Sequence, residues 1–252
     1  NSASPISGNF VVALAMQETS GEPVIWAATW RAEGQDEEYG VSFSKNGGRT
    51  WETTLLGEKV HNLTADGDVI YAASDNGLWK SDDSGESWFV FDDIQDNETG
   101  ERIYSSEYYS VSAENDDVWT GTADGLARTQ DNGFTWTVIR SFESTAESGE
   151  PRTYAYPNPF SPNRNNRYND AGHVRLQYNV TGNTYVTVKV YDFAMDLVTT
   201  ICDNKARTGP GDYNEVWNGV NDFGDEVANG VYFYSVDIEN DGVYWGKILI
   251  VN

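Results

Sequence analysis

Three eight-residue segments place a hydroxyl, an acid or amide, a glycine and a tryptophan at one fixed spacing. They are Ser44-Lys-Asn-Gly-Gly-Arg-Thr-Trp51, Ser81-Asp-Asp-Ser-Gly-Glu-Ser-Trp88 and Thr129-Gln-Asp-Asn-Gly-Phe-Thr-Trp136. The recurring positions are Ser44, Asn46, Gly48 and Trp51; Ser81, Asp83, Gly85 and Trp88; and Thr129, Asp131, Gly133 and Trp136. A short acid or amide at such a turn accepts backbone N–H groups across it, and the glycine supplies a positive φ. That is the chemistry of backbone bonding, so these residues are read as structural holders of turns. Calcium or substrate binding by the same oxygens is the alternative.

Other chemistry-bearing residues are sparse. His61 and His173 stand alone in separate halves of the chain, so no His metal cluster or catalytic pair is expected. Serine–histidine–acid, phosphate-loop and Cys–His patterns are absent from the sequence. The single cysteine, Cys202, excludes an internal disulfide and a Cys-rich zinc site. Asn221-Asp-Phe-Gly-Asp225 is an acidic turn able to offer oxygens to calcium, without the ligand spacing of an EF-hand loop. Asp36, Glu37 and Glu38 form an acidic run, read as a solvated face. The reading therefore assigns no catalytic, cofactor or metal residue, keeps calcium open, and leans against this chain being an enzyme by itself.

The elements that must carry these segments follow from composition and pattern. The 252 residues hold 16 Lys+Arg against 40 Asp+Glu, a formal charge of −24. Contact with nucleic acid or an anionic membrane is disfavoured, because both need basic groups against phosphate. Aromatic residues make up 13% of the chain, which a disordered acidic polymer would lack. No apolar run approaches the length that spans a bilayer, so no membrane insertion is expected. The chain begins Asn-Ser-Ala-Ser without Met, read as the start of a mature or truncated chain with any export signal gone.

The residues before each octad also align. Val69-Ile-Tyr-Ala-Ala-Ser-Asp-Asn-Gly-Leu78 matches Asp117-Val-Trp-Thr-Gly-Thr-Ala-Asp-Gly-Leu126, with the first copy starting at Val24-Ile-Trp-Ala-Ala28. Tyr71 to Trp88 and Trp119 to Trp136 both span 17 residues; the first copy carries an insertion around Arg31 to Glu38. Short β-branched and aromatic runs separated by Asn-Gly and Asp-Gly turns predict about four antiparallel strands per repeat, as in propeller blades. The octads resemble Asp-box repeats, also called bacterial neuraminidase repeats. Those occur in sialidases, oligoxyloglucan-type glycoside hydrolases, sortilin-type receptors and photosystem-assembly propellers. The first copy departs from the pattern in carrying Asn46 for Asp. A sialidase would also need three clustered arginines with a Tyr–Glu pair, and Arg31, Arg49, Arg102, Arg128 and Arg140 show no such pattern. Three blades are fewer than the four to eight of a closed ring, so additional blades or self-association are expected to complete it.

Residues 141–153 have linker composition, and the second half then resumes as strands. Val174–Val180 and Tyr185–Val190 alternate with period two, Leu197–Ile201 and Tyr213–Trp217 follow, and Val231–Ile238 with Tyr244–Val251 predicts a terminal hairpin. Some seven short strands predict a small Ig-like sandwich. Tyr156-Pro157-Asn158-Pro159-Phe160, Val188-Lys-Val-Tyr-Asp192, Val216-Trp217-Asn-Gly219, Asn229-Gly230-Val-Tyr232-Phe-Tyr234 and Gly246-Lys247-Ile-Leu-Ile-Val251 occur in order. Together they resemble the C-terminal sorting domain of type IX secretion substrates, and equally the Ig-like domain of flagellar hook-capping proteins. Asn252 stands where the sorting family usually has a basic residue. Tyr232, Phe233 and Tyr234 are read as core and cross-strand packing.

The expected fold class is therefore all-β: a partial β-propeller of about three blades (residues 1–140), a linker (141–153) and an Ig-like C-terminal sorting domain (154–252). The resemblances imply a secreted or cell-surface protein of a Gram-negative bacterium, delivered to the extracellular space or outer-membrane surface by type IX secretion machinery. Its blades would bind a protein or glycan of unknown identity. The alternatives are the C-terminal fragment of a propeller glycoside hydrolase, sialidase-like or xyloglucanase-like, and a structural subunit of an extracellular assembly.

Overall fold

The computed structural model describes residues 5–32, 36–146 and 151–252. Its chain divides into two compact bodies, Asn1–Ser141 and Phe142–Asn252. The described residues form five antiparallel sheets of three or four strands and no helix. Part of the Arg31–Glu38 insertion, part of the 141–153 segment and the first four residues lie outside the described residues.

The N-terminal body is built from three four-stranded sheets, each a simple meander. Repeat 1 runs β1 (Phe10–Gln17), β2 (Val24–Trp30), β3 (Gly40–Ser44) and β4 (Glu52–Thr54). Repeat 2 runs β5 (Val60–Asp66), β6 (Val69–Ser74), β7 (Gly77–Ser81) and β8 (Phe89–Phe91). Repeat 3 runs β9 (Tyr108–Glu114), β10 (Asp117–Thr122), β11 (Gly125–Thr129) and β12 (Thr137–Ile139). The second strands of repeats 1 and 2 are largely buried on both faces, which is why they read as continuous apolar runs, whereas in β10 only Val118 and Thr120, on one face, are buried.

Alternation sends successive side chains to opposite faces, and each face serves a different neighbour. Trp26, Ala28, Val41 and Phe43 of repeat 1 share a core with Val60, Leu63, Ile70 and Ala72 of repeat 2. Tyr71, Ala73 and Leu78, on the other face of repeat 2, share a core with Tyr108, Val111, Val118 and Trp136 of repeat 3. Each repeat thus has an upstream face and a downstream face. Burying a side chain such as Leu63 or Val111 contributes about 1.5–3 kcal/mol.

The C-terminal body has seven strands: β13 (Thr153–Tyr156), β14 (Val174–Val180), β15 (Thr184–Tyr191), β16 (Leu197–Arg207), β17 (Gly211–Trp217), β18 (Gly230–Ile238) and β19 (Gly242–Ile250). They form one sheet in the order β13-β14-β17 and another in the order β16-β15-β18-β19. Val174, Leu176, Tyr178 and Val180 from the first sheet meet Val186, Val188, Val190, Tyr234, Val236 and Ile248 from the second in one core.

Candidate functional site

Each octad folds into the same hydrogen-bonded turn between the third and fourth strands of its repeat. In repeat 2, the Ser81 hydroxyl donates to Asp83 Oδ1 at 2.8 Å and accepts the Gly85 amide at 2.8 Å. Asp83 Oδ1 also accepts the Ser87 amide at 2.9 Å, while Oδ2 accepts the Ser87 hydroxyl. Repeat 3 reproduces this with Thr129, Asp131, Gly133 and Thr135. Repeat 1 keeps the Asn46 Oδ1 contacts to Ser44 and the Thr50 amide, but reverses the last bond. Asn46 Nδ2 donates to Thr50 Oγ1 at 2.7 Å, where the aspartates accept.

These donors favour the charged carboxylates. Bonds from Ser87, first its hydroxyl and then its amide, lower the Asp83 pKa to about 2; Thr135 does the same for Asp131. Both oxygens of each carboxylate are occupied by bonds inside the turn.

The glycine and tryptophan of the octad face the repeat before. Gly85 has φ +87°, and its Cα lies against the Trp26 indole; Gly133 has φ +91° and lies against the Phe91 ring. Trp88 Nε1 donates to Thr54 Oγ1 at 2.9 Å, and that hydroxyl donates to Gly85 O at 2.6 Å. Trp136 meets Phe91 edge-on with ring centroids 5.4 Å apart. Among the described residues, Trp51 of the first octad belongs to neither inter-repeat core, and the one atom within 4 Å of the Gly48 Cβ position belongs to Trp51 itself.

In the C-terminal body, the first and last sequence motifs are joined. Asn158 Nδ2 donates to Lys247 O at 2.9 Å, and Asn158 Oδ1 accepts the Leu249 amide at 3.0 Å. Phe160 exchanges backbone bonds with Leu249 and Val251, and its ring is fully buried. Pro157 and Pro159 follow cis peptide bonds, and Tyr156 ends β13 with its ring exposed. Gly219, with φ +78°, lies against Pro162 and Phe160, and Gly246 lies against the Tyr234 ring. Trp217 packs on Tyr232 and donates to Val220 O, while the Tyr232 hydroxyl donates to Ala228 O. Gly230 opens β18 opposite Ile250.

One constellation escaped the sequence reading. An aromatic row crosses all three repeats: Phe10 to Trp30 at 5.7 Å, Trp30 to His61 at 5.4 Å, and His61 to Tyr109 at 5.3 Å between centroids. Phe10 and Tyr109 are exposed; Trp30 and His61 are half-buried. Polar groups border the row. Asp75 takes His61 Nε2 at 2.5 Å and Lys59 at 3.4 Å, and Lys59 lies over the Trp30 ring. Tyr109 donates to Glu107, and burial, then that bond, pushes its pKa up to about 12. The recoverable signal is positional: Phe10, His61 and Tyr109 each stand at the first or second residue of the first strand of a repeat.

The remaining candidates are tied into local structure. Glu37 accepts the Ala32 amide and the Asn9 side chain. Asn221 Oδ1 accepts the Phe223 and Asp225 amides, both at 2.9 Å. Arg128 pairs with Asp117, Arg102 with Asp93, and Arg140 with Glu101 and buried Asp124, as separate pairs rather than one anion-binding cluster. Burial pushes the Cys202 thiol up to about 11, the wrong direction for a nucleophile. Among the described residues no group of three or more His, Cys, Asp or Glu could hold a metal ion, and no helix could cross a membrane.

No protein-family model matches the chain, and no curated protein matches its sequence. Solved structures do. YCF48 from Cyanidioschyzon merolae is 11% identical over 94% of this chain and 84% of its own, with a TM-score of 0.37. An ancestral GH74 enzyme is 15% identical over 95% of this chain and 33% of its own, with a TM-score of 0.40. The extracellular domain of the one-component system BT4673 from B. thetaiotaomicron is 15% identical over 97% of this chain and 31% of its own, with a TM-score of 0.33. The chain spans about a third of the length of the last two.

Proposed function

We propose that this is a secreted or cell-surface protein of a Gram-negative bacterium. Its three repeats are propeller blades of the Asp-box type, and its C-terminal body is an Ig-like domain that addresses the chain to type IX secretion machinery. The observation that carries the export reading is the Asn158 clasp. It binds the first sorting motif to Lys247 and Leu249 of the last, so the ordered pieces form one folded unit. Deleting residues 154–252 in a host with that machinery should leave the protein in the periplasm. Unchanged surface delivery would sink the export reading.

The ligand reading rests on the aromatic row. Flat, half-exposed rings bordered by Lys59, Asp75 and Glu107 suit a glycan, whose sugar faces stack on rings and whose hydroxyls pair with charged groups. The octad oxygens serve their turns. A glycan array probed with the intact chain tests this, with Trp30→Ala as the control; binding that ignores Trp30→Ala would overturn it.

A further inference from the structure

The three repeats carry equivalent upstream faces, but only two are buried. Strand register makes the equivalence explicit. Leu14 pairs with Ala27, Leu63 with Ala72 and Val111 with Thr120, each pair at the middle of its repeat. Met16 likewise stands where Ala65 and Ala113 stand. Leu63 is 4% exposed and Val111 7%, each against the preceding repeat, whereas Leu14 is 66% exposed and Met16 53%. Gly48, at φ +84°, matches Gly85 and Gly133, which receive aromatic rings from the preceding repeat. The segment at Ser7 covers one end of this face through Thr29 and Ser42. The Leu14–Met16 end is left apolar and solvated.

We propose that this face binds the downstream face of repeat 3 in a second copy of the chain. Repeat 3 presents Trp119, Leu126 and Ile139 at the positions where repeat 1 presents Trp26, Val41 and Thr54, and repeat 2 presents Tyr71, Leu78 and Phe91, to the next octad. Ile139 is exposed. Charge agrees with shape. Arg128 lies over the Trp119 ring at 4.8 Å. At the repeat 2–3 interface the β9–β10 turn brings the Asp116 amide to Asp66 and the Asp116 charge toward Tyr71. The equivalent β1–β2 turn of repeat 1 carries Glu18 and Glu22, so acids of one copy would meet Arg128 of the other, beside the Asp117 that already pairs with it. The contact is head-to-tail and reuses an interface that the chain already builds twice. It rests on the packing of the repeats and not on the export or glycan readings.

Sedimentation equilibrium of the intact chain over a concentration series tests it, with circular dichroism to confirm that variants fold. The expected result is reversible association above the 28.0 kDa of one chain. Leu14→Glu and Ile139→Glu, both at exposed positions, should each weaken association at least roughly tenfold. Mixing the two variants should restore a dimer and no larger species, because one intact upstream face then meets one intact downstream face. A wild-type chain that stays at monomer mass overturns the proposal. So does a dimer broken by Leu14→Glu but not by Ile139→Glu, which would mean two upstream faces meeting.

Discussion

Gly85 of the second octad lies against the indole of Trp26 in the repeat before it, so closely that an added Cβ would stand 2.9 Å from the ring. One glycine thus meets two demands, a positive φ for its own turn and room for a neighbour's ring. The octad is a turn and an inter-repeat joint together.

Alanine scanning of the three octad glycines should separate those demands. Gly48→Ala carries only backbone strain, since its nearest neighbour is Trp51 at 3.8 Å, and should cost about 1–2 kcal/mol. Gly85→Ala and Gly133→Ala add overpacking against Trp26 and Phe91, for about 2–5 kcal/mol in total. Urea midpoints of the three variants check the order; equal losses would contradict the joint.

Acid should loosen the second and third octads before the first. Asp83 and Asp131 have folded pKa values of about 2, below the usual carboxyl value near 4. A depressed pKa means that the turn bonds stabilise fully above about pH 4, and that this contribution is lost as pH falls from about 4 to about 2. The double variant Asp83→Asn, Asp131→Asn should flatten that part of the profile of melting temperature against pH. Asn46 shows that an amide can hold the same turn.

Arg140→Met should be among the most damaging single changes in the N-terminal body. The guanidinium bonds the Asp124 carboxylate at 3.0 Å and Glu101 at 2.8 Å, and the side chains of Arg140 and Asp124 are both buried. Removing one partner strands a buried charge, at about 3–5 kcal/mol. Thermal unfolding of the variant measures it, and Asp124→Asn in the same background should recover part of the loss.

Asn158→Ala should release the last strand. It removes one bond to Lys247 O and one from the Leu249 amide, about 1–3 kcal/mol together. Amide hydrogen exchange at Leu249 should quicken in the variant while Val236, in the core of the same sheet, stays protected.

What could be read from the sequence follows from how each element is stabilised. The second strands of repeats 1 and 2 and β14 (Val174–Val180) were legible because burial imposes an apolar pattern. β16 was expected over Leu197–Ile201 and runs on to Arg207, because this sheet-edge strand is largely exposed and its Cys-Asp-Asn-Lys-Ala-Arg end carries no such pattern. The octad turns were legible through local side-chain bonding. The aromatic row was not, because Trp30, His61 and Tyr109 come from three different repeats and meet only when the repeats pack.

The central claim is that the C-terminal body is an export address held closed by the Asn158 clasp. The most direct measurement is protease accessibility on intact cells of a passenger protein that carries an N-terminal export signal and residues 142–252. The account predicts that the passenger is shaved from the cell surface in a host with type IX machinery and is retained inside when that machinery is deleted. A passenger that stays protected in both hosts, or is exposed in both, would contradict it.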